Sequence, residues 1–182
     1  MSERWSLWKR NVLDKYKHLE VQEIKEDLRN KAHPFAVLME QWKGDFNIST
    51  LIRNANSFNA RTVYYIGKKR FDRRGTVGAH HYIDLRFLES EQELLELKKK
   101  YTFVVFENNT EKEVFTLGEF RWPSNALMIF GEEGAGVSDT LMQLADMVVE
   151  IPQFGSVRSL NCGTASGIAM FDYCRALAEE SA

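Results

Sequence analysis

The amino-acid sequence predicts an α/β fold, a mostly parallel sheet with helices on both faces, carrying a helical extension at its N-terminus. Two features carry this reading. Five short runs are apolar almost without interruption, the texture of strands covered on both sides, and segments of helical character alternate with them. The chain has 182 residues, which suits one domain with a full core and an appendage and leaves little room for two domains.

Taken in order, residues 3–30 hold Trp5, Trp8, Val12, Leu13, Tyr16, Leu19, Ile24 and Leu28 as an approximate helical stripe with charges on the other face. This predicts an amphipathic helix or helix pair over residues 1–32, packing on its own domain or serving as an arm for RNA. After His33-Pro34 the domain proper, 33–182, begins. "FAVLME" (35–40), "TVYYIG" (62–67), "TFVVFE" (102–107), "ALMIFG" (126–131) and "MVVEIP" (147–152) read as strands, and "YIDLRFL" (82–88) as a short further one. Residues 47–58, 90–100, 138–145 and 162–179 read as helices.

Composition excludes several classes. Hydrophobic residues make up 44% and charged residues 27%, the profile of a folded soluble protein rather than a disordered one. The formal net charge of −2 supplies no global positive field, so any basic surface is local. Cys162 and Cys174 form neither a CxxC pair nor a Cys/His cluster, and His18, His33, His80 and His81 have no familiar ligand spacing, so no metal site is expected. Two cysteines without a disulfide pattern, and a charged N-terminus without an apolar run, predict a cytoplasmic protein with no membrane segment.

In open parallel sheets ligands gather beyond the C-terminal ends of the strands, and three segments stand there. "GDFNISTLIRNANSFNA" (44–60) enters the first helix, with Asn47 and Ser49 as capping candidates and Arg53 set in the apolar stretch "TLIRNA", either snorkelling to solvent or placed for function. "ALMIFGEEGAGVSD" (126–139) is a glycine-rich turn that is neither a P-loop nor a dinucleotide fingerprint. "IPQFGSVRSLNCGTASG" (151–167) brings Ser159 and Asn161 to the start of a helix lined with small residues, where spacing alone makes either a helix cap.

Together, and in this order, the three segments resemble the SpoU (TrmH-like) family of RNA ribose 2′-O-methyltransferases within the SPOUT superfamily. The matching elements are Asn47 followed six positions later by Arg53, the G-x-E-x-x-G turn from Gly131, and "IPQFGSVRSLN" from Ile151, and the likeness spans residues 35–178. Two positions depart from the family pattern: Ser49 stands where glycine is usual, and "CGTA" follows Asn161 in place of V-S-V-A. The resemblance implies a C-terminal deep trefoil knot, which topology rules alone would argue against. It also implies a homodimer through the knot and the C-terminal helix, and S-adenosylmethionine as cofactor. By position, Gly131, Ile151, Leu160 and Ser159 would hold the cofactor, with backbone near Phe106 and Glu107. Arg53 would be the catalytic residue, with Asn47, Glu133, Ser159 and Asn161 completing the site.

The substrate implied is RNA, transfer RNA first and ribosomal RNA second. "KKRFDRRG" (68–75) follows the second strand and sets Lys68, Lys69, Arg70, Arg73 and Arg74 against Asp72, with Phe71 interleaved. Such a loop can contact phosphates and stack a ring on a base, with Gly75 and Gly78 letting it rearrange. The competing readings are a noncatalytic RNA-binding or assembly protein with the same fold, and a nucleotide-dependent oxidoreductase, which the missing dinucleotide fingerprint disfavours.

Overall fold

A computed structural model describes residues 10–40, 44–108 and 110–180. Trp5 and Trp8 lie outside the described residues. Seven strands, β1 (Ala36–Glu40), β2 (Val63–Ile66), β3 (Leu85–Phe87), β4 (Thr102–Phe106), β5 (Phe115–Thr116), β6 (Ala126–Phe130) and β7 (Met147–Glu150), form one sheet. Its order is β3-β2-β1-β6-β4-β7-β5, and every pairing is parallel. Six strands sit where the apolar runs predict them. The two-residue β5 has no apolar run to announce it, because it lies at the sheet edge and pairs only with β7.

Alternation along each strand splits the core in two. Val37, Met39, Val104, Phe106, Met128 and Phe130 face one layer, covered by α2 (Phe46–Ser57) and α5 (Cys162–Glu180). Leu38, Tyr64, Phe103, Val105, Leu127 and Ile129 face the other, covered by α3 (Glu91–Lys98) and α4 (Asp139–Leu144). Both faces are covered by apolar side chains, which is why the strands read as unbroken apolar runs.

Of the expected helix or helix pair, the described N-terminal segment holds one helix. Among its described residues, α1 (Val21–Asn30) is the one α-helix, beginning where the Glu20 amide donates to the Glu23 carboxylate at 2.7 Å. Before it the described chain is irregular apart from a single tight turn at Asp14–Tyr16, held by the Arg10 guanidinium donating to the Leu19 carbonyl at 2.6 Å. Tyr16 and Ile24 are buried against Tyr82, so this segment packs on the sheet domain. Among the described residues no helix is long and apolar enough to cross a membrane.

The contact that positions the functional end is between α2 and α5. A side chain on Gly163 would place its Cβ 2.8 Å from Thr50 Cγ2, so the two helices meet backbone against side chain. Asn54 exploits that approach, donating from Nδ2 to the Gly163 carbonyl at 2.8 Å and to Ser166 Oγ at 3.0 Å. Tyr173 fixes the far end of α5, its hydroxyl donating to the Ser124 carbonyl at 2.7 Å. Gly163→Ala should therefore push the helices apart and cost about 1 to 3 kcal/mol in urea unfolding. Adding Thr50→Gly, which removes the colliding atoms, should recover part of that loss, and a double variant no more stable than Gly163→Ala would refute the close-approach account.

Candidate active-site cleft

Three loops leave the C-terminal ends of adjacent strands and enclose a cleft of about 540 Å³: 107–108 after β4, 131–137 after β6 and 151–161 after β7. The loops are bound to one another. Asn108 donates from Nδ2 to the Ile151 carbonyl at 2.9 Å and accepts the Ile151 amide on Oδ1 at 3.2 Å, a reciprocal pair that holds the first and third loops together. The second loop folds back through Glu132 and Gly136, which exchange backbone bonds at 3.0 and 2.9 Å. Gly131 makes that turn possible, since a Cβ there would stand 2.3 Å from the Gly136 carbonyl group. The Glu107 carboxylate accepts the Val137 amide at 3.3 Å, and the buried Glu40 accepts the Ser138 amide at 2.8 Å.

Asn161 joins the cleft to α2. Its Oδ1 accepts the Thr164 amide at 3.1 Å, capping α5 as the bare spacing predicts. Its Nδ2 then donates to Asn47 Oδ1 at 2.8 Å and to the Glu133 carboxylate. One amide therefore performs two tasks at once. Asn47, only 3% exposed, is the buried anchor of this triad.

Of the residues singled out from sequence, Phe106, Glu107, Gly131, Glu133, Ile151, Ser159, Leu160 and Asn161 all line the cleft, and Asn47 supports it from below. Arg53 does not line it. Six positions beyond Asn47 it points about 120° away around the helix, and its side chain is exposed. Sequence reasoning passed over Asn108, Gln153, Arg158 and Cys162, which also line the cleft. Asn108 carried a usable signal, a polar residue directly after an apolar strand. Cys162 is not a nucleophile here: burial and then the Glu133 charge push its thiol up to about 12.

The basic loop differs from its sequence picture. Lys68 pairs with Asp45 at 3.2 Å, Lys69 with Glu89, and Arg74 Nε with both oxygens of Asp72 at 2.8 and 3.0 Å, so two acids distant in sequence and one within the run neutralise three of the five cations. The guanidinium of Arg74 holds the Asp72 carboxyl down at about 2. Phe71 packs edge-on against Tyr65, with ring centroids 5.9 Å apart, and is committed to the core side rather than presented to a base. Gly75 is pinned as well, because a Cβ there would lie 2.8 Å from Ser49. That gap is what accommodates Ser49 where the family pattern has glycine, and Ser49 Oγ uses it to donate to the Asp72 carbonyl at 3.3 Å.

Residues 34–171 match the SpoU rRNA methylase family. The chain belongs to the SpoU methylase family. Members are RNA methylases that draw their methyl group from S-adenosylmethionine. Among relatives, the chain is 27% identical over 154 residues to a tRNA (guanosine(18)-2′-O)-methyltransferase of Aquifex aeolicus, covering 82% of this chain and 72% of that one. A 23S rRNA (guanosine-2′-O-)-methyltransferase of Haemophilus influenzae is 24% identical over 165 residues, covering 87% and 67%. Among solved structures, the TrmH/SpoU tRNA modifying enzyme of A. aeolicus superposes with a TM-score of 0.77 at 24% identity, covering 88% and 84%. The SpoU methyltransferase AviRb of Streptomyces viridochromogenes, solved with AdoMet, gives 0.71 at 22%, covering 79% and 60%.

The cleft fits the family's cofactor. Its volume is within the range of small-molecule sites, three converging loops offer backbone donors and acceptors, and Gln153, which lines it, keeps a buried side-chain oxygen with no protein partner. Asn161→Ser separates the two tasks of the amide, because serine still caps a helix but cannot reach Asn47 and Glu133 together. We expect stability to change by no more than about 1 kcal/mol while S-adenosylmethionine affinity, read by calorimetry, drops at least tenfold. Equal losses in both would return Asn161 to the role of a cap.

Proposed function

We propose that this SpoU methylase transfers a methyl group from S-adenosylmethionine to a ribose 2′-hydroxyl of transfer RNA, working as a homodimer whose C-terminal part is knotted. The observation that carries this reading is the Asn47-Asn161-Glu133 triad, which ties the three sequence segments into one cleft. Support for transfer RNA over ribosomal RNA comes from the relatives: the tRNA (guanosine(18)-2′-O)-methyltransferases of A. aeolicus and Thermus thermophilus both match over 82% of this chain. Support for the knot comes from the path of the chain after β7. The end of β7 and the helix after it are bound to the stretch before β6: the Leu117 amide donates to the Glu150 carbonyl at 2.9 Å and Trp122 Nε1 to Asp172 on α5 at 2.9 Å.

The cofactor supplies an electrophilic sulfonium methyl, so the protein's task is to orient a hydroxyl and relieve the charge it develops. Holding the reactants in line can lower the barrier by about 7 to 11 kcal/mol. Gly131, Ile151 and Leu160 would bind through backbone groups, with Phe106 and Glu107 forming the wall, and Ser159 with Asn161 would present polar groups to the ribose. A guanidinium offers donors and no acceptor, so Arg53 would stabilise the developing 2′-oxyanion and an adjacent phosphate while the proton passes to solvent.

Arg53 lies outside the cleft of its own subunit, and α5 leaves Ile168 (37%) and Phe171 (59%) exposed on one face, as a helix does when a partner covers it. A dimer built on that face would deliver Arg53 to the cleft of the other subunit. Arg53→Lys should abolish most turnover on transfer RNA without loss of cofactor affinity, since the planar fork is lost and the charge is kept. Arg53→Ala and Asn161→Ala, each inactive alone, should regain roughly a quarter of wild-type activity when refolded together, because mixed dimers contain one intact site. No regain would confine Arg53 to its own subunit or remove it from the reaction. Mapping the ribose methylations that disappear from cellular RNA in a deletion strain identifies the target; losses confined to ribosomal RNA would overturn the choice of transfer RNA.

A further inference from the structure

A second groove, of about 380 Å³, opens at the opposite end of the sheet, where the chain enters β2, β3 and β4. Its lining holds Lys25, Arg29, Arg61, Arg86 and Lys100 against one carboxylate, Asp84. Asp84 is already engaged by Arg86 at 2.7 Å. Lys25, Arg29, Arg61 and Lys100 form no ion pair among the described residues, and Glu96, which feels the charge of Lys100, is bonded to Lys99 at 2.6 Å. In a chain of net charge −2, this is a local gathering of positive charge.

The groove is built rather than incidental. Asn59, held in a left-handed backbone conformation, donates from Nδ2 to the Leu28 carbonyl at 3.1 Å and so clamps the end of α1 to the turn before β2. Tyr64 and Tyr101 meet edge to face at 6.3 Å and, with the buried Tyr82, form a packed floor beneath the cations. Three of the five cations in the 68–74 loop are neutralised, whereas four of the five here are not. The arrangement of spaced cations over a fixed floor matches a phosphodiester backbone, each phosphate carrying one charge.

We propose that this groove is a second RNA-binding surface, taking the backbone of a part of the substrate remote from the methylated ribose. The proposal rests on the reading of the chain as an RNA methyltransferase. A five-residue strand spans about 16 Å, so an RNA seated at both ends of the sheet must be large and folded enough to wrap its edge. The groove would therefore select structured RNA by reach, while the cleft selects the nucleotide.

The test uses the full chain carrying Arg29→Gln, Arg61→Gln and Lys100→Gln together, with unfractionated transfer RNA as probe. The dissociation constant should rise at least tenfold near physiological salt, and the slope of its logarithm against that of salt concentration should fall by about 2 to 3. S-adenosylmethionine affinity should be unchanged, which also shows that the variant folds. Wild-type affinity and slope in the variant would overturn the proposal, and so would groove-dependent binding of inorganic phosphate or AMP with RNA binding intact. If the unmodified protein binds S-adenosylmethionine and methylates RNA while the triple variant does so equally well, only the groove assignment fails. If the unmodified protein binds neither, the methyltransferase reading fails and takes this proposal with it.

Discussion

The side-chain amide of Asn161 is the interaction on which the functional end of this molecule depends. An amide has one acceptor and a donor nitrogen with two hydrogens, and here the acceptor closes the first turn of α5 while the nitrogen reaches α2 through Asn47 and the glycine-rich turn through Glu133. Three segments that lie up to 114 positions apart are thereby referred to one point. An aspartate would keep the cap and lose the donors, and a serine would lose the reach. The residue type follows from the geometry.

That junction works because the backbones around it come unusually close. Gly163 lets α5 settle against Thr50, and Gly131 lets the second loop fold onto the Gly136 carbonyl. Close approach substitutes backbone groups for side chains as the lining of the cleft, which suits the recognition of a cofactor through main-chain contacts. It also makes the cleft depend on the α2–α5 packing, so that stability and binding share the same contacts. The buried apolar layers on both faces of the sheet supply the frame against which these loops are held.

Charge is distributed by the fold in a way that the order of residues conceals. The conspicuous basic run at 68–74 is largely paired with Asp45, Asp72 and Glu89, and its phenylalanine is packed against Tyr65. Cations scattered from Lys25 to Lys100, none of them part of a run, converge at the other end of the strands. Local density along a chain measures composition, whereas the field felt by a ligand depends on which carboxylates lie within a few ångströms.

The sequence by itself determined the fold class, six of the seven strands, the helices of the sheet domain and the family, because buried parallel strands must be apolar on both faces and the three site segments carry side chains that few other arrangements need. It also named eight of the residues that line the cleft, since loops at the C-terminal ends of strands converge there whatever their separation in the chain. Only the tertiary structure decided that residues 10–20 are irregular rather than helical, where a charged and aromatic stretch is held by Arg10 and by burial of Tyr16 instead of by helical bonds. It alone turned Arg53 away from its own cleft, a matter of about 120° around α2 that spacing cannot assign without knowing which face α5 covers. Periodicity records what is buried; direction and neutralisation are set by contacts between segments remote along the chain.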